Sequence, residues 1–180
     1  MEPVLEPESC SAPRVKLVPK LQQFWKSWDD VPSTVPEEFK HTKFFVEVFA
    51  GKAGLSRRVR RRRKIAVLPP IEIELSDEVQ GKADILDPMV RRKLVAWMKA
   101  GVVQFVHFGT PCTSFSIARR NDGGPPPVRD RDNLYGFEKL EGYEKDLVAT
   151  GTKLMQITAE LCQLCSQLNI EWSVENPSQA

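Results

Sequence analysis

The stretch that decides the fold is Val102–Ala118, which reads VVQFVHFGTPCTSFSIA. Its first part, Val102–Phe108, is apolar and rich in valine and phenylalanine, which is typical of a buried strand. A Gly-Thr-Pro-Cys turn follows, so the thiol of Cys112 is delivered where the strand ends. In open α/β sheets, ligands bind beyond the carboxyl ends of the strands. The stretch therefore predicts an active site around Cys112.

A second apolar segment, Ile170–Val174, ends in Glu175-Asn176. If both segments are parallel strands of one sheet, their carboxyl ends lie at the same edge. A nucleophile, Cys112, and a carboxylic acid, Glu175, then meet there as a candidate catalytic pair.

The strongest strand pattern upstream is Phe44–Phe49, FFVEVF, which runs into AGKAGLS with Gly51 and Gly54. A strand, a glycine turn and a helix together bring backbone N–H groups close to a bound nucleotide. The same arrangement is also a common packing device, so both interpretations stay open at this point.

The rest of the chain alternates strand and helix patterns. This alternation predicts an α/β fold with a doubly wound, mainly parallel sheet of about five strands. Right-handed crossovers would place the strand of Val102–Phe108 beside that of Phe44–Phe49. The other predicted elements are a helix at Leu55–Arg63, a strand within Ile65–Leu75 broken by Pro69-Pro70, a short strand at Lys82–Leu86, a helix with Asp87 as N-cap, Pro88 at its first position and Gly101 at its end, and a long helix at Leu147–Leu168.

The first 43 residues differ from the rest and are expected to form a partly disordered arm before a domain at residues 44–180. Met1–Lys20 is rich in Pro, Glu and Ser, a composition typical of disorder. Leu21–Trp28 has the pattern of a short amphipathic helix. Trp25 and Trp28 are expected to pack onto the domain, and a partner-binding segment is the alternative.

The composition is that of an ordinary soluble protein. The chain has 180 residues and a formal net charge of +2, which is too small to indicate a nucleic-acid partner by itself. Its four cysteines show no disulfide framework, which favours the reducing cytoplasm or nucleus. The first residues are unlike a signal peptide, and no apolar run is long enough to span a bilayer, so no membrane partner is expected.

Several local patterns of the sequence each allow more than one interpretation. The basic run Arg57–Lys64 indicates a phosphate-binding patch or a nuclear import signal, or else a solvated helix face. The polar loop Asn121–Asp132 is a lid or a plain surface loop. Cys162 and Cys165 form a C-x-x-C pattern without further ligands nearby, so we expect two buried apolar residues and no metal site. Glu72 lies where a ribose-binding acid occurs in nucleotide-binding units, with Glu74 as the competing choice.

The order of these motifs resembles the catalytic half of the cytosine-C5 DNA methyltransferases, over about residues 44–177. More closely, GTPCTSFSIARRNDGGPPP with a terminal ENP resembles a divergent, dinoflagellate-type group of methyltransferase-like proteins, often near retroelement coding regions. The matching segments are Phe49–Ser56 for the cofactor-binding first motif, Glu72 for the ribose contact, Asp84-Ile85 for the adenine contact, Gly109–Ser116 for the Pro-Cys motif and Val174-Glu175-Asn176 for the Glu-Asn-Val motif.

The resemblance implies a Rossmann-like fold, S-adenosylmethionine as cofactor and DNA as partner. It makes Cys112 the thiolate that adds to C6 of cytosine, Glu175 the acid at N3 and Asn176 a residue that shapes the loop. The target base would have to leave the duplex. The implied cofactor residues are Phe49, Gly51, Gly54, Leu55, Glu72, Asp84 and Pro111, and the implied nucleic-acid contacts are Ser114, Ser116, Arg119, Arg120, Arg60 and Arg61.

The chain departs from the family pattern at several positions. Ala53 replaces a glycine of the first motif, Glu47 replaces the usual Asp, Thr113 replaces Gln and Pro177 replaces Val. The sequence stops at Ala180, before the family's later motifs, so a bare sheet edge and a second chain that supplies those motifs are further expectations. Two alternatives to an active enzyme stay open, namely an inactive nucleic-acid-binding or retroelement-associated module and a fragment without activity of its own.

Overall fold

The computed structural model describes residues 24–62, 65–73, 83–116, 119 and 124–175. Over these residues the chain has the predicted α/β fold, with a parallel sheet flanked by helices. The sheet has six strands and not about five, because the predicted strand within Ile65–Leu75 is divided into two. The elements are β1 Phe44–Val48, α1 Gly54–Arg61, β2 Ala66–Val67, β3 Ile71–Glu72, β4 Ala83–Asp84, α2 Pro88–Lys99, β5 Val103–Phe108, α3 Gly142–Gln167 and β6 Glu171–Val174, after a single 3₁₀ turn at Glu37–Phe39.

The strand order is β4-β3-β1-β5-β6, and β2 pairs with β1. The chain builds outward from β1 through β3 to β4, and helix α2 then returns it to β5 on the other side of β1. The prediction that β1 lies beside β5, the strand that leads to Cys112, is confirmed. Val48 pairs with Phe108 at the carboxyl ends of the two strands. The strand order reverses between β1 and β5, and open α/β sheets bind ligands at such a point.

The predicted break in the second strand is confirmed. Pro69 and Pro70 separate β2, which pairs with the start of β1, from β3, which pairs with Val48. Proline has no N–H for the ladder, so the strand cannot continue through this pair. The Pro69 carbonyl accepts a hydrogen bond from the buried Trp28 indole at 2.8 Å.

The sheet divides the helices between its two faces. Phe44, Val46 and Val48 of β1 belong to the main core, together with residues of α2 and α3. Glu47 points to the opposite face, where its carboxylate accepts a hydrogen bond from the Ser56 N–H of α1. The alternation follows from the two-residue period of a strand.

Helix α2 forms as its capping residues predict. The Asp87 side chain accepts a hydrogen bond from the Met89 N–H at 2.8 Å, Pro88 occupies the first helical position, and Gly101 follows the helix with φ of 74°. Its buried face consists of Val90, Leu94, Trp97 and Met98, while Val95 is half-buried.

The described part of the amino-terminal arm is packed into the core. Trp28 and Val31 are 1% exposed, and the Trp25 ring packs edge-on against Trp97 at 5.1 Å, so the expected packing of both tryptophans is confirmed. The helix predicted at Leu21–Trp28 is wrong for the residues from 24 onward, which form bends and turns. These aromatic contacts fix an irregular path that a helix would not allow. Met1–Lys20 lies outside the described residues.

Helix α3 begins at Gly142, earlier than the predicted Leu147. Its first turn is mostly exposed and has no apolar period, so the sequence pattern does not reveal this start. It packs Leu154, Ile157 and Leu161 into the core. No helix in the described ranges is long and apolar enough to cross a membrane.

Strand β6 forms one edge of the sheet. It pairs with β5 on one side, and none of the described residues pairs with the other side, in line with the expected bare edge. Trp172 and Val174 are 43% and 36% exposed along it. The Trp172 indole is fixed by a hydrogen bond to the Ser166 hydroxyl at 3.1 Å.

Candidate active site

A cavity of about 580 Å³ opens at the carboxyl ends of β1, β5 and β6, where the sequence predicts a site. It brings together Cys112 and Glu175, the predicted catalytic pair, with three of the predicted cofactor residues. Its lining consists of Glu47, Phe49, Ala50, Gly51, His107, Gly109, Thr110, Pro111, Cys112, Thr113 and Glu175.

The thiol loop, residues 109–116, leaves the sheet through a close backbone contact. The Gly109 N–H donates to the Val48 carbonyl at 3.0 Å. A Cβ at position 109 would lie 2.9 Å from the Phe49 carbonyl oxygen, so only glycine fits between the two strand ends. The buried Thr110 hydroxyl then bonds the Thr158 hydroxyl of α3 at 3.0 Å. The half-buried Cys112 follows this anchored turn.

Arg129 holds the far half of the thiol loop, in a contact set that we call the Arg129 clamp. The residue is 9% exposed, and its guanidinium lies 3.8 Å from the centre of the Phe115 ring. Burial lowers the pKa of this guanidinium. Its Nη1 donates to the Leu134 carbonyl at 2.8 Å and the Thr152 hydroxyl at 3.3 Å, and its Nη2 donates to the Val148 carbonyl at 2.9 Å and the Ser114 hydroxyl at 3.0 Å.

A glycine in the middle of α3 makes room for this loop. A Cβ at Gly151 would collide with the Ser114 hydroxyl and would also lie 3.5 Å from Arg129 Nη2. The thiol loop thus rests directly on the α3 backbone at Gly151, beside the guanidinium of the Arg129 clamp.

Glu175 comes into the cavity from the edge strand. Its N–H donates to the Phe108 carbonyl at 2.8 Å, which continues the β5–β6 ladder by one bond and fixes the residue beside the start of the thiol loop. His107 also lines the cavity, with its Nδ1 2.8 Å from the Ser173 hydroxyl. Asn176, the third predicted catalytic residue, lies outside the described residues.

The turn after β1 has an unusual backbone. Phe49, Gly51 and Ala53 all have φ between 50° and 58°, in the left-handed region. Glycine adopts this conformation freely, whereas Phe49 and Ala53 adopt it against a steric penalty. A glycine at position 53 would adopt this conformation without strain. The buried Glu47 accepts the Ser56 N–H at 2.6 Å and so satisfies one free donor at the start of α1.

The two acidic residues predicted for the cofactor stand at the ends of adjacent strands, since Glu72 pairs with Asp84 between β3 and β4. Glu72 accepts the Gly51 N–H at 2.5 Å and the Ile73 N–H at 2.9 Å, and Asp84 accepts the Leu86 N–H at 2.7 Å. A carboxylate oxygen has two lone pairs, so both groups keep capacity for ligand donors. Glu74, the competing choice, lies outside the described residues.

The other predicted cofactor residues sit around the same turn. Gly54 starts α1, and Leu55 beside it is 38% exposed. A Cβ at Gly51 or Gly54 would meet none of the described atoms within 4 Å, which leaves space for a ligand beside this part of the turn.

The residues predicted to contact nucleic acid do not form one surface. Ser114 is 4% exposed and bound by the clamp, and the half-buried Arg119 donates to the Pro126 carbonyl at 3.0 Å and lies 3.7 Å from the Glu144 carboxylate. Ser116 is half-buried near them, and Arg120 lies outside the described residues. Arg60 and Arg61 are on α1: Arg60 is half-buried and burial lowers its pKa, while Arg61 is exposed.

Arg129, Thr110 and His107 belong to the site but carry no clear signal in the sequence. Arg129 lies in a Pro- and Asp-rich loop that looks like ordinary surface, and its partners are 15 residues before and 19 residues after it. Thr110 and His107 look like parts of a turn and a strand. Gly151 offers the one usable hint, because glycine is unfavourable in a helix interior unless something packs against it.

The C-x-x-C pair of α3 is not part of the site. Cys165 is fully buried, and burial together with the neighbouring Cys162 raises the pKa of its thiol to about 12. Burial also raises the pKa of Cys162. Over the ranges that the structure describes, no group of His, Cys, Asp and Glu residues could hold a metal ion.

Comparison of the chain with models of protein families, with curated proteins and with solved structures found no match. Functional assignment therefore depends on the geometry of the cavity and on the chemistry of the residues that line it.

Proposed function

We propose that the chain is a cytosine-C5 DNA methyltransferase-like protein that uses S-adenosylmethionine as methyl donor. One observation carries the proposal, namely the cavity that joins the Cys112 thiol, the Glu175 carboxyl and the glycine turn after β1. These groups come from three separate strand ends, and each is a residue type that the reaction needs. The cavity of about 580 Å³ is within the usual range for ligand sites, about 300–1,000 Å³.

The cofactor would lie over the carboxyl ends of β1, β3 and β4. The ribose hydroxyls would donate to Glu72 and the adenine amine to Asp84, while the open turn at Gly51 would receive the amino-acid end. S-adenosylmethionine would supply a methyl group attached to a positively charged sulfur. The spare lone pairs on both carboxylates and the free space beside the turn support this fit.

Cys112 and Glu175 would act on the cytosine ring. The Cys112 sulfur forms a bond to C6, and the electron pair of the C5–C6 double bond becomes available at C5 for the methyl group. Glu175 donates a proton or a hydrogen bond at N3, which stabilises the charge that develops on the ring. Loss of the C5 proton to solvent then restores the double bond and releases the thiol. The Arg129 clamp and the Thr110–Thr158 hydrogen bond keep the thiol loop in place.

Two measurements test the proposal. Calorimetric titration with S-adenosylmethionine and S-adenosylhomocysteine should give micromolar binding, about −8 kcal/mol. Incubation with duplex DNA that contains a mechanism-based cytosine analogue should give a covalent adduct that Cys112→Ser lacks, while Cys112→Ser still binds the cofactor. An adduct that persists in Cys112→Ser, or a folded chain that binds neither cofactor nor DNA, would refute the proposal.

A second candidate is an inactive nucleic-acid-binding module with the same fold. It is favoured by the way in which polar groups near the thiol are already engaged within the protein, Ser114 by Arg129 and Arg119 by Glu144. Binding of duplex DNA without any adduct, under conditions in which the cofactor binds, would support this alternative over the enzyme.

A further inference from the structure

Helix α1 carries its arginines away from the cavity, from Arg57 in its first turn to Arg61 and Arg62 at its end. Helix α1 starts beside the carboxyl end of β1, where Glu47 accepts the Ser56 N–H, and the chain then enters β2, where Ala66 pairs with Phe44. Because β1 and β2 are parallel, the helix runs back along the sheet, and its last turn lies at the amino edge. Strand β1 is 5 residues long, so this edge is roughly 16 Å from the edge that carries Cys112.

Four of these arginines share one side of the helix. At about 100° per residue, positions 57, 58, 61 and 62 fall within an arc of about 140°. The opposite side is turned to the sheet and contains the buried Ser56 and the half-buried Val59 and Arg60. All four side chains of the arc are exposed, and we call them the arginine surface: Arg57, Arg58, Arg61 and Arg62.

Within the described ranges, no acidic side chain forms an ion pair with this surface. The ion pairs between described residues are Lys40–Glu37 and Arg119–Glu144, and neither involves the arginine surface. Arg57 and Arg61 are four residues apart, as are Arg58 and Arg62, so like charges face each other on adjacent turns. Charges of alternating sign are typical of a solvent-exposed helix with salt bridges, whereas a block of one sign is often an interaction segment. The concentration of one sign indicates a polyanionic partner.

We propose that the arginine surface binds the phosphate backbone of duplex DNA, independently of base sequence and separately from the cavity. Guanidinium groups match phosphate oxygens with two parallel hydrogen bonds, which favours phosphate over a diffuse acidic surface. The helix carries no aromatic residue on which unpaired bases could stack, which favours a duplex over a single strand. Its only large apolar side chain with substantial exposure is Leu55, at the far end, so membrane insertion has no apolar face to use.

The proposal does not depend on the proposed methyl transfer. A surface that runs along the outer side of α1 and ends at the amino edge would hold a different stretch of backbone from the one that presents a base to Cys112. It would therefore retain the chain on DNA whether or not the cavity is active.

Fluorescence anisotropy with a labelled duplex, measured at a series of salt concentrations, tests the proposal. Each phosphate contact contributes about 0.9 to the slope of log affinity against log salt, so substituting all four arginines by Gln should reduce the slope by about 3.6. Between 50 and 200 mM salt, the unmodified chain should then lose about 100-fold more affinity than the variant. Substitution of the four by Lys should keep most of the slope, because the charge remains.

The matched control removes the same charge elsewhere and should reduce the slope by much less. It substitutes four exposed lysines by Gln: Lys26, Lys139, Lys145 and Lys153. An equal reduction of the slope in both variants would show that only net charge matters, and this would overturn the proposal. An unchanged slope in the arginine variant would also overturn it. So would binding of anionic phospholipid vesicles, or of a purified nuclear import receptor, through the same four residues without any effect on duplex binding.

Two further readouts keep the outcome clear. Thermal unfolding checks that the arginine variant is folded, and if it is not, the pair Arg57→Gln and Arg61→Gln should reduce the slope by about 1.8. Cofactor titration of the variant should match that of the unmodified chain. A chain that binds no cofactor but loses its salt-dependent duplex binding in the variant would refute the proposed methyl transfer and still support the arginine surface.

Discussion

Replacing Arg129 by Met removes the hydrogen bonds that tie the far half of the thiol loop to α3, while keeping a long apolar stem in place. The change removes the donors to the Ser114 hydroxyl and to the Leu134 and Val148 carbonyls. The Val148 carbonyl keeps another donor, the Thr152 hydroxyl at 2.8 Å, so the main losses fall on Leu134 and Ser114.

The size of the effect follows from these contacts. A hydrogen bond from a charged donor contributes about 1.5–3 kcal/mol, and contact of the guanidinium with the Phe115 ring adds about 0.5–2 kcal/mol. Removing a buried cation whose Nε has no hydrogen-bond partner offsets part of the loss. We therefore expect Arg129→Met to lower the free energy of unfolding by about 2–3 kcal/mol, because two main acceptors lose a charged donor. For a chain of this length that corresponds to a fall in the melting temperature of about 5–10 °C.

Circular dichroism during heating measures this loss, and alkylation of Cys112 followed by mass spectrometry measures release of the loop. Alkylation should become several-fold faster, while cofactor affinity should stay the same because the clamp does not touch the Gly51 turn or Glu72. Arg131→Met, at an exposed arginine of the same loop, is the control and should change stability by less than about 0.5 kcal/mol. An unchanged melting temperature together with unchanged Cys112 alkylation would refute the clamp.

Three further predictions concern glycine and cysteine positions. Gly151→Ala should destabilise the chain by about 1–3 kcal/mol in denaturant unfolding, because the collision with Ser114 outweighs the higher helix propensity of alanine. Gly51→Val should reduce cofactor affinity at least about tenfold in calorimetry, because a β-branched residue does not tolerate φ of 50°. At pH 8, iodoacetamide should label Cys112 well before Cys165, and labelling of Cys165 should rise about tenfold per pH unit towards pH 12, since the raised pKa keeps its thiol protonated.

Each of these has its own control. Adding Ser114→Ala to Gly151→Ala removes the hydroxyl that causes the collision and should recover part of the stability, and no recovery would assign the loss to another contact. Gly54→Ala should not strain the backbone, because Gly54 has an ordinary φ and no described atom lies within 4 Å of an added Cβ, so an equal loss of cofactor affinity in this variant would contradict the explanation for Gly51. Rapid labelling of Cys165 in the folded chain at pH 8 would contradict its burial.

The sheet could be read from the sequence because each of its strands carries its own local signal. Phe44–Phe49 and Val102–Phe108 are apolar runs that end in glycine turns, and Pro69-Pro70 marks its own break. Because crossovers between parallel strands are right-handed, β5 is expected beside β1. This pairing brings Cys112 close to the Gly51 turn. Residues that share the cavity because they follow strand ends could therefore be found before the structure.

Contacts between distant loops could not be read in this way. The Arg129 clamp depends on where a loop without periodicity lies against α3, and no local pattern encodes that position. The amphipathic pattern of Leu21–Trp28 indicated a helix, but packing of Trp25 and Trp28 against other elements overrides local propensity. The sequence predicts that the basic run forms a helix, while the direction of that helix, towards the edge opposite Cys112, follows only from the parallel pairing of β1 with β2.

The packing of Trp28 and Pro32 against later elements also bears on how the chain folds during synthesis. The Trp97 indole donates to the Pro32 carbonyl at 2.8 Å across 65 residues, and the Lys93 ammonium donates to the Trp28 carbonyl across the same separation. At translation rates of about 5–20 residues per second, the amino-terminal segment would wait roughly 3–13 seconds for these partners to leave the ribosome. Its aromatic side chains are exposed during that interval, so chaperone binding to this segment should be strongest before α2 is made.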